Sequence, residues 1–230
     1  MLDYTIFNER PESQDRAIKE LQAMGYQYIP RAEAEKKRGH LSRVLFPDVM
    51  HEFLSSQSFT YRGKVCPFSD DAIGEAIREL DAPLEKGLMY ASKAVYDRLV
   101  YGKSCEIHLY DGNAQSFDIS YIDWEHPEKN IWQVTEEFSV ERLNGKFARP
   151  DIVILVNGIP LAVIECKKAS VDVEESVKQN VRNWQPDYIP QLFKFAQLVI
   201  AANPDTVKYG TAGTTQEYYC KWHEEDREWH

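Results

Sequence analysis

The sequence predicts an α/β fold, a central mixed β-sheet flanked by helices, with a helical amino-terminal portion over about 1–104 and a β-rich core over about 105–220. Three observations carry that reading. Apolar residues recur at helical spacing through the first half, and strand-length apolar runs dominate the second. The most apolar run, residues 159–167, is hydrophobic on both faces, as a strand covered on two sides must be.

The elements follow in order. Ala17, Ile18, Leu21 and Met24 mark the apolar face of a helix from Pro11 to Met24, which Gly25 closes as a C-cap. The all-polar run from Arg31 to Arg38 reads as a solvated helix or loop face. Helices fit Leu45 to Leu54, Asp70 to Leu80 and Leu84 to Leu99, with Ser69 as N-cap of the second. Strands then fit Cys105 to Tyr110, Phe117 to Asp123 and Ile131 to Val140, before a hairpin centred on Asn157-Gly158. A helix over about 171–184 and a strand from Gln197 to Ala202 complete the series. In that last helix Val173, Val177 and Val181 form a buried stripe, and Asp172, Ser176, Gln179 and Asn183 a separate polar one. No low-complexity linker or internal repeat divides the chain, so it reads as one domain, 1–230.

The hairpin carries three charges that an apolar strand does not tolerate without a reason: Asp151, Glu165 and Lys167. Side chains two apart in a strand share a face, so Glu165 and Lys167 look the same way, with Ala162, Ile164 and Cys166 on the other. A strict two-residue turn would set Asp151 opposite Ile164 and separate the carboxylates. A three-residue loop or a bulge near Asn157 to Pro160 restores Asp151 opposite Glu165, and Pro160, lacking an N–H, is a reason for one. Two carboxylates converging on a sheet rim suit Mg²⁺, which takes one or two of them and keeps several waters. Lys167 beside them would activate the attacking water and offset charge on a phosphate. The bland alternative makes Glu165 and Lys167 an edge-strand ion pair and Asp151 a turn residue. Spacing alone does not decide, because Glu35-Lys36-Lys37 repeats it among 37 acidic and 27 basic residues; only the second copy sits in an apolar strand behind Pro150-Asp151.

The residues Tyr121 to Asn130, Ala148 to Val153, Asn157 to Leu161, Ile164 to Lys167, Gln197 to Ala201 and Lys208 to Thr211, and more loosely Glu12 to Ile18, resemble the amino-terminal nuclease domain of the restriction (R, HsdR-type) subunit of type I restriction-modification enzymes, a member of the PD-(D/E)xK superfamily. The resemblance implies a restriction-endonuclease-like core and a type I site-specific deoxyribonuclease. It implies catalytic roles for Asp151, Glu165, Lys167 and Gln179, and a Mg²⁺ contacted at Asp151, Glu165 and Cys166. Many relatives carry a tyrosine one helical turn after the glutamine; here that position is Asn183. A glutamate on the first helix often joins the metal, and Glu9 and Glu12 are the candidates. The implied partners are double-stranded DNA and the methylation (M) and specificity (S) subunits, with an ATP-driven motor outside this chain. No G-x-x-x-x-G-K-[ST] loop occurs, and Gly210-Thr211-Ala212-Gly213-Thr214-Thr215 lacks the lysine that such a loop needs.

Composition bounds the rest. A mean hydropathy of −0.52 and the lack of a long apolar run exclude a membrane span, and the start has no signal-peptide pattern. Cys66, Cys105, Cys166 and Cys220 show no C-x-x-C pairing and read as reduced thiols of a cytoplasmic protein; the scattered histidines do not build a zinc site. A net charge of −10 opposes DNA binding, since duplex affinity comes from neutralising phosphates. Positive charge for a cleft must come from Arg31, Lys36, Lys37, Arg38, Arg43, Lys167 and Lys168. A catalytically silent docking or DNA-guiding module and a stand-alone repair nuclease are the competing readings of the same residues.

Overall fold

The computed structural model describes residues 12–222 of the 230; the candidate Glu9 and the side chain of Glu12 lie outside the described part. Helix α1 (Glu12–Ala23) ends at Gly25, whose φ of +98° is the left-handed geometry that glycine supplies. Strand β1 (Gln27–Ile29), helices α2 (Arg31–Arg38) and α3 (Pro47–Ser55), and the hairpin β2 (Ser58–Tyr61) with β3 (Lys64–Pro67) follow. Helix α4 (Asp70–Leu80) starts where the Ser69 side chain accepts from the Ala72 N–H, and α5 (Leu88–Tyr101) leads to the hairpin β4 (Lys103–His108) and β5 (Ala114–Ile119). The second half runs through β6 (Trp132–Glu136), β7 (Val140–Glu141), β8 (Phe147–Ala148), β9 (Ile152–Val156) and β10 (Ile159–Cys166). It closes with α6 (Val173–Asn183), α7 (Pro190–Phe193), β11 (Leu198–Ala202), β12 (Val207–Gly210) and β13 (Cys220–Lys221).

A seven-stranded mixed sheet in the order β1-β6-β9-β10-β11-β12-β13 organises the described residues. The pairs β1–β6 and β10–β11 are parallel, and the others antiparallel. Ile18 of α1 packs on Val134, Ile152, Ile164 and Cys166 on one face. On the other, Val173 and Val177 of α6 pack with Val153, Val163 and Val199 in the larger core. The sheet is therefore covered on both faces, and its central strands are apolar throughout for that reason.

The amino-terminal portion is less helical than its sequence pattern. Strand β1 has three residues, too few for a period, and exists by pairing Tyr28 with Val134 more than a hundred positions on. The expected strand from Ile131 to Val140 breaks at Glu137, whose φ of +49° turns the chain and aims its N–H at the Asp151 carbonyl, 2.9 Å away. The expected helix from Leu84 starts four residues later, because Leu84 to Gly87 form a turn closed by a 2.8 Å bond.

The β9–β10 hairpin sets the geometry that matters. Asn157 (φ +53°) and Gly158 (φ +80°) are both left-handed, as a type I′ turn demands. Pairing starts as Ile159 with Val156 and Pro160 with Leu155, slips between Pro160 and Ala162, and resumes as Ala162 with Ile154 and Ile164 with Ile152. Leu161 is the extra residue of a bulge beside the imide nitrogen of Pro160. Continuing this register one step past Ile152 and Ile164 sets Asp151 opposite Glu165, on one face.

Candidate active site

Glu165 ends the apolar run of β10 fully buried, on the face that carries Val163 and meets α6. Helix α6 begins at Asp172, whose side chain accepts from the Glu174 N–H, and presents Gln179 and Asn183 one turn apart. Gln179 Nε2 donates to Glu165 Oε2 at 2.5 Å, and Asn183 Nδ2 donates to Oε1 at 3.0 Å. Lys167 Nζ donates to Gln179 Oε1 at 2.7 Å, so Gln179 ties the lysine to the glutamate. Asp151 Oδ2 accepts the Cys166 N–H at 2.7 Å. The structure thus gathers Asp151, Glu165, Lys167 and Gln179 in one place. Of the polar stripe of α6, Ser176 and Asn183 are buried, Gln179 is half-buried and Asp172 is exposed; Asn180 beside it is buried as well and donates to the Ile200 carbonyl.

Cys166 meets Asp151 through its main chain. Its thiol lies on the opposite face among Ile18, Ile152 and Ile164, and burial, then the charge of Asp151, pushes it up to about 12. The thiol is thus turned away from the Asp151 and Glu165 carboxylates.

Burial raises the pKa of Asp151, against the lowering effect of the Cys166 N–H and of Lys167; the charge of Glu137 adds to the rise. Glu165 stands well above the usual carboxylate range, first through burial and then through the charge of Asp151, with Lys167 pulling the other way. Burial raises both acids and the charge of Asp151 raises Glu165 further, so the pair is short of positive charge, a shortage that a dication would relieve.

Two further residues belong to the cluster. Gln14 of α1 is completely buried, donates from Nε2 to the Asp151 carbonyl at 3.1 Å and leaves its Oε1 without a partner among the described residues. Ser13 Oγ donates to the Lys167 carbonyl at 2.9 Å. Neither stands out by local pattern, since a polar pair in a first helical turn looks solvated; the hints were their place one turn before Ala17 and Ile18 on the apolar face and the loose resemblance of Glu12 to Ile18 to the family. Of the positive candidates, Arg38 is not on a solvated face. It is buried, with its guanidinium 3.9 Å above the Phe138 ring and bonded to the Ser139 carbonyl at 2.8 Å, and burial lowers its pKa to about 10. Arg31 and Lys37 are engaged with Glu35 and Glu33 on their own helix.

The donor set is hard oxygen. Among the described residues no group of three or more His, Cys, Asp and Glu could hold a metal ion. A pair of carboxylates with an orphaned amide oxygen close by, at Gln14, fits a cation that keeps much of its own water, as Mg²⁺ does.

A mixed sheet covered by helices, with paired carboxylates, a lysine and a helix-borne glutamine at the end of its central hairpin, defines an α/β nuclease-like fold. The family model described as "Type I restriction enzyme R protein N terminus" matches residues 6–218. The chain belongs to that family. It is similar to the type I restriction enzyme SsaAORF53P endonuclease subunit of Staphylococcus saprophyticus, 30% identical over 124 residues, covering 54% of this chain and 12% of the relative. The HindI endonuclease subunit of Haemophilus influenzae is 23% identical over 214 residues, covering 89% of this chain and 19% of the relative. The EcoprrI endonuclease subunit of Escherichia coli is 30% identical over 139 residues, 60% of this chain and 41% of the relative. This chain therefore spans a minor part of the length of such relatives. Among the described residues no helix is long and apolar enough to cross a membrane.

Proposed function

We propose that this chain is the Mg²⁺-dependent nuclease part of a type I restriction system, hydrolysing DNA phosphodiester bonds at positions not read from sequence, after translocation by an ATP-driven motor. Asp151 and Glu165 would hold the ion. When bound, Mg²⁺ supplies polarisation of the phosphoryl oxygen and makes a water more acidic. Lys167, whose ammonium already lies in the cluster, orients the attacking water and offsets charge growing on the phosphate oxygens. Gln179 fixes the distance between that ammonium and Glu165 by bonding to both. The M and S subunits would choose the DNA, which leaves this acidic chain, with its net charge of −10, no need to bind duplex tightly by itself. The convergence of Asp151, Glu165 and Lys167 through one bulge supports the reading above all else.

Binding that favours the native state raises the unfolding free energy by about 2.7 kcal/mol at a hundred times Kd. Mn²⁺ or Mg²⁺ is therefore expected to raise the Tm of the chain and not that of Glu165→Ala. Equal stabilisation of both would favour a silent docking module. In the complete complex with ATP, Lys167→Ala should abolish DNA cleavage while translocation continues; undiminished cleavage refutes the assignment of that lysine.

A further inference from the structure

Two neighbouring side chains in the first turn of α1 hold the main chain of two site residues. Ser13 Oγ donates to the Lys167 carbonyl at 2.9 Å, and Gln14 Nε2 donates to the Asp151 carbonyl at 3.1 Å. Helix α1 packs through Ile18 against Ile152, Ile164 and Cys166, on the face of the sheet opposite to the Asp151 and Glu165 carboxylates. It therefore reaches these strands from behind, through their carbonyls. The ladder between β9 and β10 runs out at Ile152 with Ile164, one step short of Asp151 and Glu165. Beyond that step the two arms meet through the Cys166 N–H on Asp151 Oδ2, at 2.7 Å, and the α1 pair grips each arm where the ladder has stopped.

Folding does not require the Gln14 bond. The Asp151 carbonyl already accepts the Glu137 N–H at 2.9 Å, so it has a partner without Gln14. Gln14 is fully buried with its Oε1 unpartnered among the described residues, which is a cost that an apolar side chain of similar length would avoid. Local rules of this kind are broken where function asks for it. We propose that Ser13 and Gln14 are positioning residues of the cation site, a clamp on α1 that fixes the spacing of the Asp151 and Lys167 main chains. The proposal rests on the metal-dependent nuclease reading above. Mg²⁺ demands near-ideal octahedral geometry, so any slack between the arms that carry Asp151 and Glu165 must be taken up on binding, at the expense of affinity. A second element that ties both arms removes that slack beforehand.

The test compares the 230-residue chain with Gln14→Met, which keeps most of the side-chain volume and removes the bond, and with Ser13→Ala and Ser13→Thr, of which the second keeps a hydroxyl. Titration with Mn²⁺ should show affinity lower by about tenfold in Gln14→Met and in Ser13→Ala, and close to wild type in Ser13→Thr. The metal-free Tm of Gln14→Met should stay level or rise, because an unpaired buried oxygen has gone. Hydrogen exchange of the metal-free chain reads the clamp directly. The Cys166 amide, which bridges the arms to Asp151, should lose protection in Gln14→Met, while Val163, inside the ladder, keeps it. Unchanged Mn²⁺ affinity in Gln14→Met or in Ser13→Ala overturns the proposal and leaves the nuclease reading standing. A lowered metal-free Tm in Gln14→Met, with Val163 losing protection alongside Cys166, assigns the residue to folding and also overturns it. Absence of Mn²⁺ binding by the wild-type chain removes both.

Discussion

Gly158→Ala tests whether the hairpin turn is as constrained as the geometry of Asp151 and Glu165 requires. Gly158 has a φ of +80°, where a Cβ is worth roughly 1–2 kcal/mol of strain. The added methyl would also lie 2.6 Å from the Phe46 carbonyl oxygen and 3.2 Å from Met50 Cγ. The first contact is with backbone, and that backbone is tied down, since the Phe46 N–H bonds the Gly158 carbonyl at 2.9 Å. Overpacking of this kind costs about 1–3 kcal/mol, so the sum is about 2–5 kcal/mol. For a chain of this size each 1 kcal/mol moves the Tm by about 2–4 °C, which gives a fall of roughly 4–20 °C. Circular dichroism melts of the two metal-free proteins measure it. Because the bulge at Leu161 lies beyond the turn, the fraction that remains folded keeps Asp151 opposite Glu165 and still gains Tm from Mn²⁺. A Tm within 2 °C of wild type would refute the reasoning about the turn. A normal Tm gain from Mn²⁺ in a variant shown to have slipped register would refute the link from bulge to site.

Other perturbations have defined outcomes. Asn157→Ala removes a buried amide that accepts from the Ile131 N–H and donates to the Tyr121 carbonyl and Asn130 Oδ1, so denaturant melts should show a loss of roughly 3 kcal/mol or more. Glu165→Gln should flatten the pH dependence of the metal-free chain. Glu165 has a folded-state pKa above its ordinary 4.5, so the stability it allows is complete below that value and is lost as pH rises toward the folded one. The wild type should therefore lose stability relative to Glu165→Gln as pH rises above about 4.5, and parallel profiles in urea melts would contradict the shift.

The charged residues of the site were legible because each violates a local rule. Asp151, Glu165 and Lys167 interrupt apolar strands, and period-two counting showed that a plain Asn157-Gly158 turn could not unite them. That counting demanded an irregularity, expected near Asn157 to Pro160, and the structure has it as a bulge at Leu161, between Pro160 and Ala162. Gln179 was legible as one of a polar stripe set apart from the valine stripe of its helix, though nothing local said that Ser176 and Asn183 of that stripe would be buried.

Local pattern thus determined the acids, the lysine, the hairpin and most helices, because propensity, alternation and caps act over a few neighbouring residues. Only the tertiary structure decided what depends on distant partners. Strand β1 exists because β6 lies beside it, Arg38 is buried because Phe138 and the Ser139 carbonyl receive it, and Gln14 reaches the Asp151 carbonyl across 137 positions of chain. A polar side chain looks solvated until the fold takes water away from it, and that desolvation is a property of the assembled core and of no segment alone.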